Sequence, residues 1–397
     1  MKRQILWGGI LLGLIMAFPC KAENWWERLN ISARAQFVVQ GLNSAKELFQ
    51  NAEEVGLASG EDHQFFSGTF SSALCLEAEL SPHLSANWII EYGEGDGVDA
   101  RLGTISLFNY DALNSGGSSA ISELFLHINY DWLKIWLGKM DWVAHFDTNA
   151  VANSEEEQFF SRAFVVNPVI FGPKGDLNLP NGYKTLGVIA EIAPAKWLSL
   201  KYGAFENDGD YQDLDKRLVH FAEVGFSWEI SSFPGNLKVF YVENLGEKKT
   251  FPEEDLSKRA FASWGANFDQ IITEQVIIFA RYGEVLDRRA DEFYSPYTSA
   301  GIMPERHYSL GLQINLPPST SALGLAFASN KLPQSWQKSI EDKGEESKTE
   351  EILAELYYRI MVNEWLAITP DLIYMETPAG IKGSGVYLIG MRIVVDF

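Results

Sequence analysis

Residues 385–397 read GVYLIGMRIVVDF, and this stretch decides the fold class. Tyr387, Ile389, Met391, Ile393, Val395 and Phe397 fall on one face, with Gly390, Arg392 and Asp396 on the other. Alternation with period two marks a strand, because successive side chains of extended backbone point to opposite faces. The pattern recurs upstream. At 221–230, Ala222, Val224, Phe226, Trp228 and Ile230 oppose Glu223, Ser227 and Glu229. At 198–202, Leu198, Leu200 and Tyr202 oppose Ser199 and Lys201, and at 308–315, Tyr308, Leu310, Leu312 and Ile314 oppose Ser309, Gln313 and Asn315.

Marking every such run predicts strands over 31–40, 68–80, 84–92, 120–130, 133–140, 184–193, 196–205, 219–230, 236–244, 261–269, 274–283, 306–315, 322–329, 351–361, 365–375 and 385–397. The links alternate in length. Ser81–His83, Asp131-Trp132, Pro194-Ala195 and Val362–Glu364 are tiny, whereas 41–67, 93–119, 141–183, 206–218, 245–260, 284–305, 330–350 and 376–384 are long. Short turns on one rim and long loops on the other describe an outer-membrane barrel. The fold class is therefore all-β: a transmembrane antiparallel β-barrel of about 16 strands, with short periplasmic turns and long external loops.

Strand number also settles which way the apolar faces point. About eight strands can fill their interior with side chains, but about 16 enclose a lumen too wide to pack, so it holds water. The apolar faces then point outward, where only lipid covers so large a belt. Closure leaves no sheet edge unpaired in hydrocarbon. Trp132, Trp197 and Trp365 each sit beside a short turn, the place of an interfacial aromatic girdle. An alternating last strand ending in Phe397 resembles the C-terminal signature of Gram-negative outer-membrane proteins, which implies recognition by the barrel-assembly machinery.

Composition agrees. The 397 residues are 46% apolar, 13% aromatic and 21% charged, too apolar and aromatic for disorder. Lys plus Arg total 32 against 53 Asp plus Glu, a net charge of -21, so no basic face is available for nucleic acid. Residues 1–22 begin with Lys2-Arg3, continue apolar from Ile5 to Phe18 and end Cys20-Lys21-Ala22, the form of a secretory signal peptide. Cleavage after Ala22 leaves 23–397 as the barrel domain, with Cys75 as its one cysteine. A lipid-anchored Cys20 is the alternative, for which Ala17-Phe18-Pro19 is a poor cleavage context. The charged stretches 338–351 and 245–258 read as solvated external loops, and 24–29 (NWWERL) stays undecided.

Inward positions on these strands include Arg34, Gln36, Glu77, Glu79, Glu91, Glu123, His127, Glu191, Lys201, Glu223, Glu229, Arg281, Glu355, Arg359 and Arg392. A mixed-charge wall suits neutral polar solutes better than the single-sign ring that selects ions. Of these, Arg34, Glu91, Glu123, Glu223, Arg281, Arg359 and Arg392 are taken as the lumen wall. The longest link, 141–183, opens DWVAHFDTNAVANSEEEQFFSRAFVVNPVI, too apolar for a solvated external loop. Folded inward, it buries its Phe and Val side chains and presents Asp147, Asn149, Asn153, Ser154, Glu155, Gln158, Arg162 and Asn167 to a constriction. A lid resting across the mouth is the other placement, and the sequence leaves both open. Aromatic faces beside hydrogen-bonding groups suit sugars, whose C–H faces stack while their hydroxyls pair.

The stretch LGKMDWVAHFDTNAVANSEEEQFFSRAFVVNPVI (137–170) resembles the carbohydrate-selective porin family of OprB type. Gly138, Lys139, Asp141, Asn149, Ala152, Asn153, Ser154, Glu155, Gln158, Phe159, Asn167 and Pro168 match its pattern, and WLAITPDLIYM (365–375) adds Thr369, Pro370 and Asp371. The resemblance implies a monomeric channel for passive sugar uptake across the Gram-negative outer membrane. Two departures bear on sugar preference: the run after Pro168 lacks an expected proline, and Glu155–Glu157 is unusually acidic. The family's cell-wall-anchored variant, with a surface-layer-binding domain ahead of the barrel, is not expected. The rival classes are an enzyme, a structural or adhesive barrel without sugar selectivity, and a soluble sugar-binding protein. His63, His83, His127, His145, His220 and His307 show no metal-ligand spacing, no Gly-x-Ser-x-Gly occurs, and no cofactor or metal is implied.

Overall fold

The computed structural model describes residues 25–43, 50–52, 65–95, 97–98, 102–106, 108, 119–171, 184–206, 218–244, 261–286, 303–317, 321–383 and 385–397. The expected signal peptide, the charged loop at 245–258 and the last part of the 141–183 link lie outside these residues.

Sixteen strands form one closed antiparallel ring. They are β1 (Leu29–Leu42), β2 (Phe65–Ser81), β3 (Leu84–Gly95), β4 (Ser119–Tyr130), β5 (Leu133–Asp141), β6 (Lys184–Ala195), β7 (Leu198–Glu206) and β8 (Leu218–Ile230). They continue as β9 (Phe233–Asn244), β10 (Phe261–Ile271), β11 (Val276–Val285), β12 (Arg306–Leu316), β13 (Ser321–Lys331), β14 (Glu350–Asn363), β15 (Leu366–Glu376) and β16 (Val386–Asp396). Each strand pairs with its sequence neighbours, and β1 meets β16 to close the ring in a register that sets Phe37 beside Ile393 and Val38 beside Arg392. At this seam the Ala33 N–H donates to the Phe397 carbonyl at 3.1 Å, and the Phe397 N–H donates back to Ala33 at 2.8 Å.

Every predicted strand is present, and the differences lie at the ends. β2 begins at Phe65, three residues before its alternation starts, because Leu42 of β1 is there to pair with it. β9 begins at Phe233, ahead of Pro234 and Gly235, which read as turn residues. The turn is instead Ser231-Ser232, both at positive φ (52° and 70°), in the two-residue hairpin geometry whose twist matches that of the strands.

The faces run opposite to those of a water-soluble protein. Outward side chains such as Phe37, Leu137, Leu310, Phe327, Leu356 and Ile389 are apolar and uncovered, Ile389 at 66%, while inward Arg392 is 0% exposed. Trp132, Trp197 and Trp365 are exposed at the short turns. The buried apolar side chains lie inside the ring. One cluster gathers Trp142, Phe146, Phe205, Phe221 and Phe240; another joins Phe108, Phe159, Phe160, Phe164 and Trp336. A ring this wide cannot fill itself with its own side chains, and the link after β5 supplies the filling. This inner loop carries the short helix α1 (Arg162–Val165), capped by the Ser161 hydroxyl. In the link from β13 to β14, α2 (Gln334–Glu341) is held by the Trp336 indole N–H donating to the Ala379 carbonyl at 2.7 Å.

Candidate functional site: the inner loop and the lumen wall

The inner loop starts from a backbone that only glycine accommodates. Gly138 has φ 146°, and a Cβ there would lie 2.6 Å from Phe125 Cα of β4. Three residues on, the Asp141 carboxylate caps the first turn by accepting the Val143 N–H at 2.9 Å, while the Asp141 N–H donates to Glu123 at 3.2 Å. The chain has by then turned into the lumen. Trp142 and Phe146 pack on Phe221, at 5.3 and 5.0 Å between ring centres. Lys201 Nζ donates to the His145 carbonyl at 2.7 Å. Burial, and then Lys201 nearby, hold the His145 imidazole down at about 4.

Asp147 is the first anchor. Its N–H donates to Glu223 of β8 at 2.8 Å, and its carbonyl accepts from Asn267 of β10 at 2.5 Å. Its carboxylate accepts Arg281 Nε of β11 at 2.9 Å and the Asn167 N–H at 2.7 Å. Burial pushes this carboxyl up, against the pull of Arg281. Arg281 also donates to the carbonyls of Phe164 and Val165, so one guanidinium holds both the outgoing and returning limbs of the loop. Lys238 donates to Thr148 carbonyl and hydroxyl, both at 2.6 Å. Asn149 caps the Val151 and Ala152 N–H groups at 3.0 and 2.7 Å and reaches Asn267 at 3.2 Å.

The far end of the loop is a tight turn. Gln158 Oε1 accepts the Asn153 and Ser154 N–H groups at 2.7 and 3.1 Å, and the Ser154 hydroxyl accepts the Glu157 N–H at 3.2 Å. Arg392 of β16 fixes this turn by donating to the Glu155 and Gln158 carbonyls, its guanidinium 4.6 Å above the Phe160 ring. Arg34 of β1 meets Glu156 at 2.5 Å, Glu157 at 2.6 Å and Asp396 at 2.5 Å, and Arg359 of β14 meets Glu157 at 3.4 Å. The chain then returns. Glu355 of β14 accepts the Phe160 N–H and, at 3.0 Å, the Ser161 N–H; Asn167 donates to the Tyr282 carbonyl at 2.7 Å.

These ties place the predicted residues. Asp147, Arg162 and Asn167 are buried against the wall; Asn149, Ser154, Glu155 and Gln158 are half-buried, shaping the loop; Asn153 is exposed. Of the wall residues, Arg34, Glu223, Arg281, Arg359 and Arg392 bond the inner loop, Glu123 holds its root, and Glu91 pairs with Lys184 at 2.5 Å. The sequence reading did not single out Glu156, Glu157, Lys238 or Asn267. The acidic run drew notice only as a departure, and Lys238 and Asn267 carry no signal beyond an inward position in the alternation.

The loop lies against β7 to β16 and β1, where Glu223, Asn267, Arg281, Glu355 and Arg392 are all buried. Opposite, on β2 to β6, the inward residues Glu77, Asn87, Glu91, His127, Trp136 and Glu191 are half-buried, although Glu123 at the root of the loop is buried. Across β5 to β8, residues at one level alternate in charge: Lys134 to Glu191 3.7 Å, Glu191 to Lys201 3.3 Å, Lys201 to Glu223 3.3 Å. Each pair is also a register pair of adjacent strands. Beside this belt the His127 and Trp136 rings stack at 4.8 Å.

The model of the carbohydrate-selective porin, OprB family, matches residues 80–397. The chain belongs to this family. It is thus a carbohydrate-selective porin of the Gram-negative outer membrane, giving sugars passive diffusion through a water-filled barrel, and its family and fold are those of channels. OprB from Pseudomonas putida has the same fold. Its high-pH structure matches with a TM-score of 0.74 at 15% identity, over 98% of this chain and 97% of that one. The low-pH structure matches with a TM-score of 0.53 at 13% identity, over 98% and 96%. A porin variant from Rh. blastica matches with a TM-score of 0.51 at 10% identity, over 93% of this OprB-family chain and 100% of the other. No curated protein matches the chain.

Proposed function

We propose that sugars cross this porin between the Asn153–Gln158 turn and the inward faces of β2 to β6, with Arg34, Glu156, Glu157 and Arg359 as the eyelet. One observation carries this reading. The deep ties of the loop, at Asp147, Arg281, Glu355 and Arg392, are buried, whereas Arg34, Glu156 and Glu157 keep about a third of their side-chain surface in the lumen (28%, 30% and 33%). Cations and carboxylates paired at that range offer donors and acceptors to hydroxyl groups while largely cancelling each other's field. Beyond the eyelet, Lys134, Glu191 and Lys201 continue the same chemistry beside Trp136. Asp147, Asn149, Ser154, Glu155, Gln158, Arg162 and Asn167 act by holding the shape of the constriction, and Asn153 faces the solute.

The remaining parts follow from the same reading. Residues 1–22 direct export and are removed. Acyl chains of outer-membrane lipid cover the outward belt between the tryptophans. The barrel-assembly machinery takes up the last strand through Phe397, and one chain makes one channel, since its lumen is bounded by its own sixteen strands. Liposome swelling tests the path. Replacing Arg34 and Glu157 together with Ala is expected to bring the flux ratio of a monosaccharide to an amino acid of equal size toward their ratio in free water. An unchanged ratio would overturn the assignment of the eyelet.

A further inference from the structure

Glu355 and Asp371 are both buried in the wall behind the inner loop, and so is Arg392 beside them. Glu355 of β14 has its donors: the Phe160 N–H on one oxygen and the Ser161 N–H, at 3.0 Å, on the other. Asp371 of β15 has none. Neither of its oxygens receives a hydrogen bond from an N–H or a hydroxyl group, although both are out of reach of solvent. The Asp371 carboxyl lies instead within hydrogen-bonding reach of the Glu355 carboxyl. The strand pairing brings the two together, since Asp371 is the register partner of Tyr357, and Glu355 stands two residues along on the same face of β14.

The place is sealed by the loop itself. On its other side Asp371 pairs with Gly390 of β16, and the Phe160 ring takes the space of the missing side chain: a Cβ on Gly390 would lie 2.9 Å from it. Arg392 turns its guanidinium to the Glu155 and Gln158 carbonyls. On β14, the Tyr357 hydroxyl donates to Gln313 at 2.6 Å, and Arg359 meets Glu157 at 3.4 Å. At this level β13 presents Gly324 and Ala326, β1 presents Gln36 and Val38, and the inner loop presents Phe159, Phe160 and Ser161. None of these last residues is titratable.

Two ionised carboxylates are acceptors only, so they cannot bond to each other, and away from water they repel. One proton between them turns the repulsion into a hydrogen bond and leaves Glu355, Asp371 and Arg392 neutral as a group. We infer that Asp371 keeps this proton in the working channel and donates it to Glu355, so that a neutral aspartic acid positions the carboxylate to which the returning limb of the inner loop is tied. The donors decide which carboxyl carries the charge. Two backbone N–H groups favour the ionised form of Glu355, whereas Asp371 has no donor to lose. Asp371, from the WLAITPDLIYM stretch, is thus a positioning residue, whichever residues form the eyelet.

Proton linkage supplies the test. At neutral pH Asp371 is ionised in the unfolded chain but protonated in the folded barrel. The folded-to-unfolded ratio therefore falls about tenfold per pH unit as pH rises, until the folded state releases the proton as well. D371N replaces the hydroxyl by an amide N–H and binds no proton. Between about pH 6 and about pH 8 the wild type should lose about a hundredfold relative to D371N in reversible folding into vesicles. The infrared difference between wild type and D371N at neutral pH should show a carboxylic-acid C=O stretch lost. A D371N slope equal to that of the wild type overturns the inference, and so does loss of a carboxylate band in place of the acid band. D371A, which removes the donor altogether, should exchange its Ser161 amide several-fold faster and alter glucose swelling of liposomes, whereas D371N keeps both at wild-type values. Wild-type values in D371A overturn the positioning role. Either variant carries the slope and the spectrum should the other fail to fold. None of these readings uses the flux ratio of the Arg34 and Glu157 variants, so the two proposals fail separately.

Discussion

Asp147 has φ 58°, a left-handed conformation that aspartate tolerates better than most residues, and its ion pair with Arg281 is fully buried on both sides. Asp147→Asn keeps the shape but leaves the Arg281 charge without its counterion. We expect a loss of about 3–5 kcal/mol, the usual result of stripping one partner from a buried pair, seen as a lower urea midpoint for barrel unfolding. His145 yields a prediction of pH dependence. Its folded pKa, about 4, lies below the ordinary value of 6.5, so the unfolded chain binds the proton more tightly. Its contribution is complete above about pH 6.5 and is lost as pH falls through 4. The His145 ring carbon shift in an NMR titration should accordingly stay that of neutral imidazole down to about pH 5, while in His145→Gln the acid-side loss of stability should shrink. Asn167 was visible in sequence as a polar residue of a family motif, and Asp147 as a polar residue of the link expected to fold inward. Their burial was not, because the partner of Asp147, Arg281, stands 134 residues away and no local pattern joins the two.

At the level of the element, strands were far more legible than loops. Period-two alternation in β16 or β8 reports a face directly, since one face meets each environment along the whole run. The β8–β9 link was predicted over 231–235, too long at its far end because Pro234-Gly235 carries the usual turn chemistry, while the residues that turn are two serines at positive φ. That misfit is also an opportunity. Left-handed backbone costs an ordinary residue about 1–2 kcal/mol, and Asn-Gly is the favoured pair in this turn. Ser231→Asn with Ser232→Gly should raise stability by up to about 1 kcal/mol once the entropy cost of glycine is subtracted, read as a higher unfolding midpoint. Gly138 is the opposite case. Gly138→Ala drives a Cβ into the backbone of β4 at the root of the inner loop, so folded yield should drop on a heat-modifiability gel. Wild-type yield from that variant would show that the loop does not need this backbone conformation. The inner loop itself was recognisable by composition and motif, but whether it entered the lumen or lay across the mouth depended on wall residues spread from β7 round the ring to β1.

For the whole molecule, strand number did most of the work. Counting about 16 alternating runs settled that water fills the middle and that the apolar faces look outward, an arrangement the burial pattern reproduces at Arg392 and Ile389. Leu310, mid-strand on the outer face, should then respond to charge as a lipid-facing site. Leu310→Arg is expected to cost about 2–4 kcal/mol near the bilayer centre, measured by reversible folding into vesicles, whereas a charge on the lumen face at half-buried Asn87 should cost less. Equal costs would place both residues in the same medium. The seam between β1 and β16 has a consequence for synthesis. The two strands that complete the cylinder are the first and the last to be translated, so a polypeptide lacking β16 is not a slightly leakier pipe. It is an open ribbon with two raw borders of unmatched amides, at β1 and at β15, ready to zip onto whatever nascent ribbon lies beside it. A cell making such fragments has reason to degrade them in the periplasm before they reach the membrane.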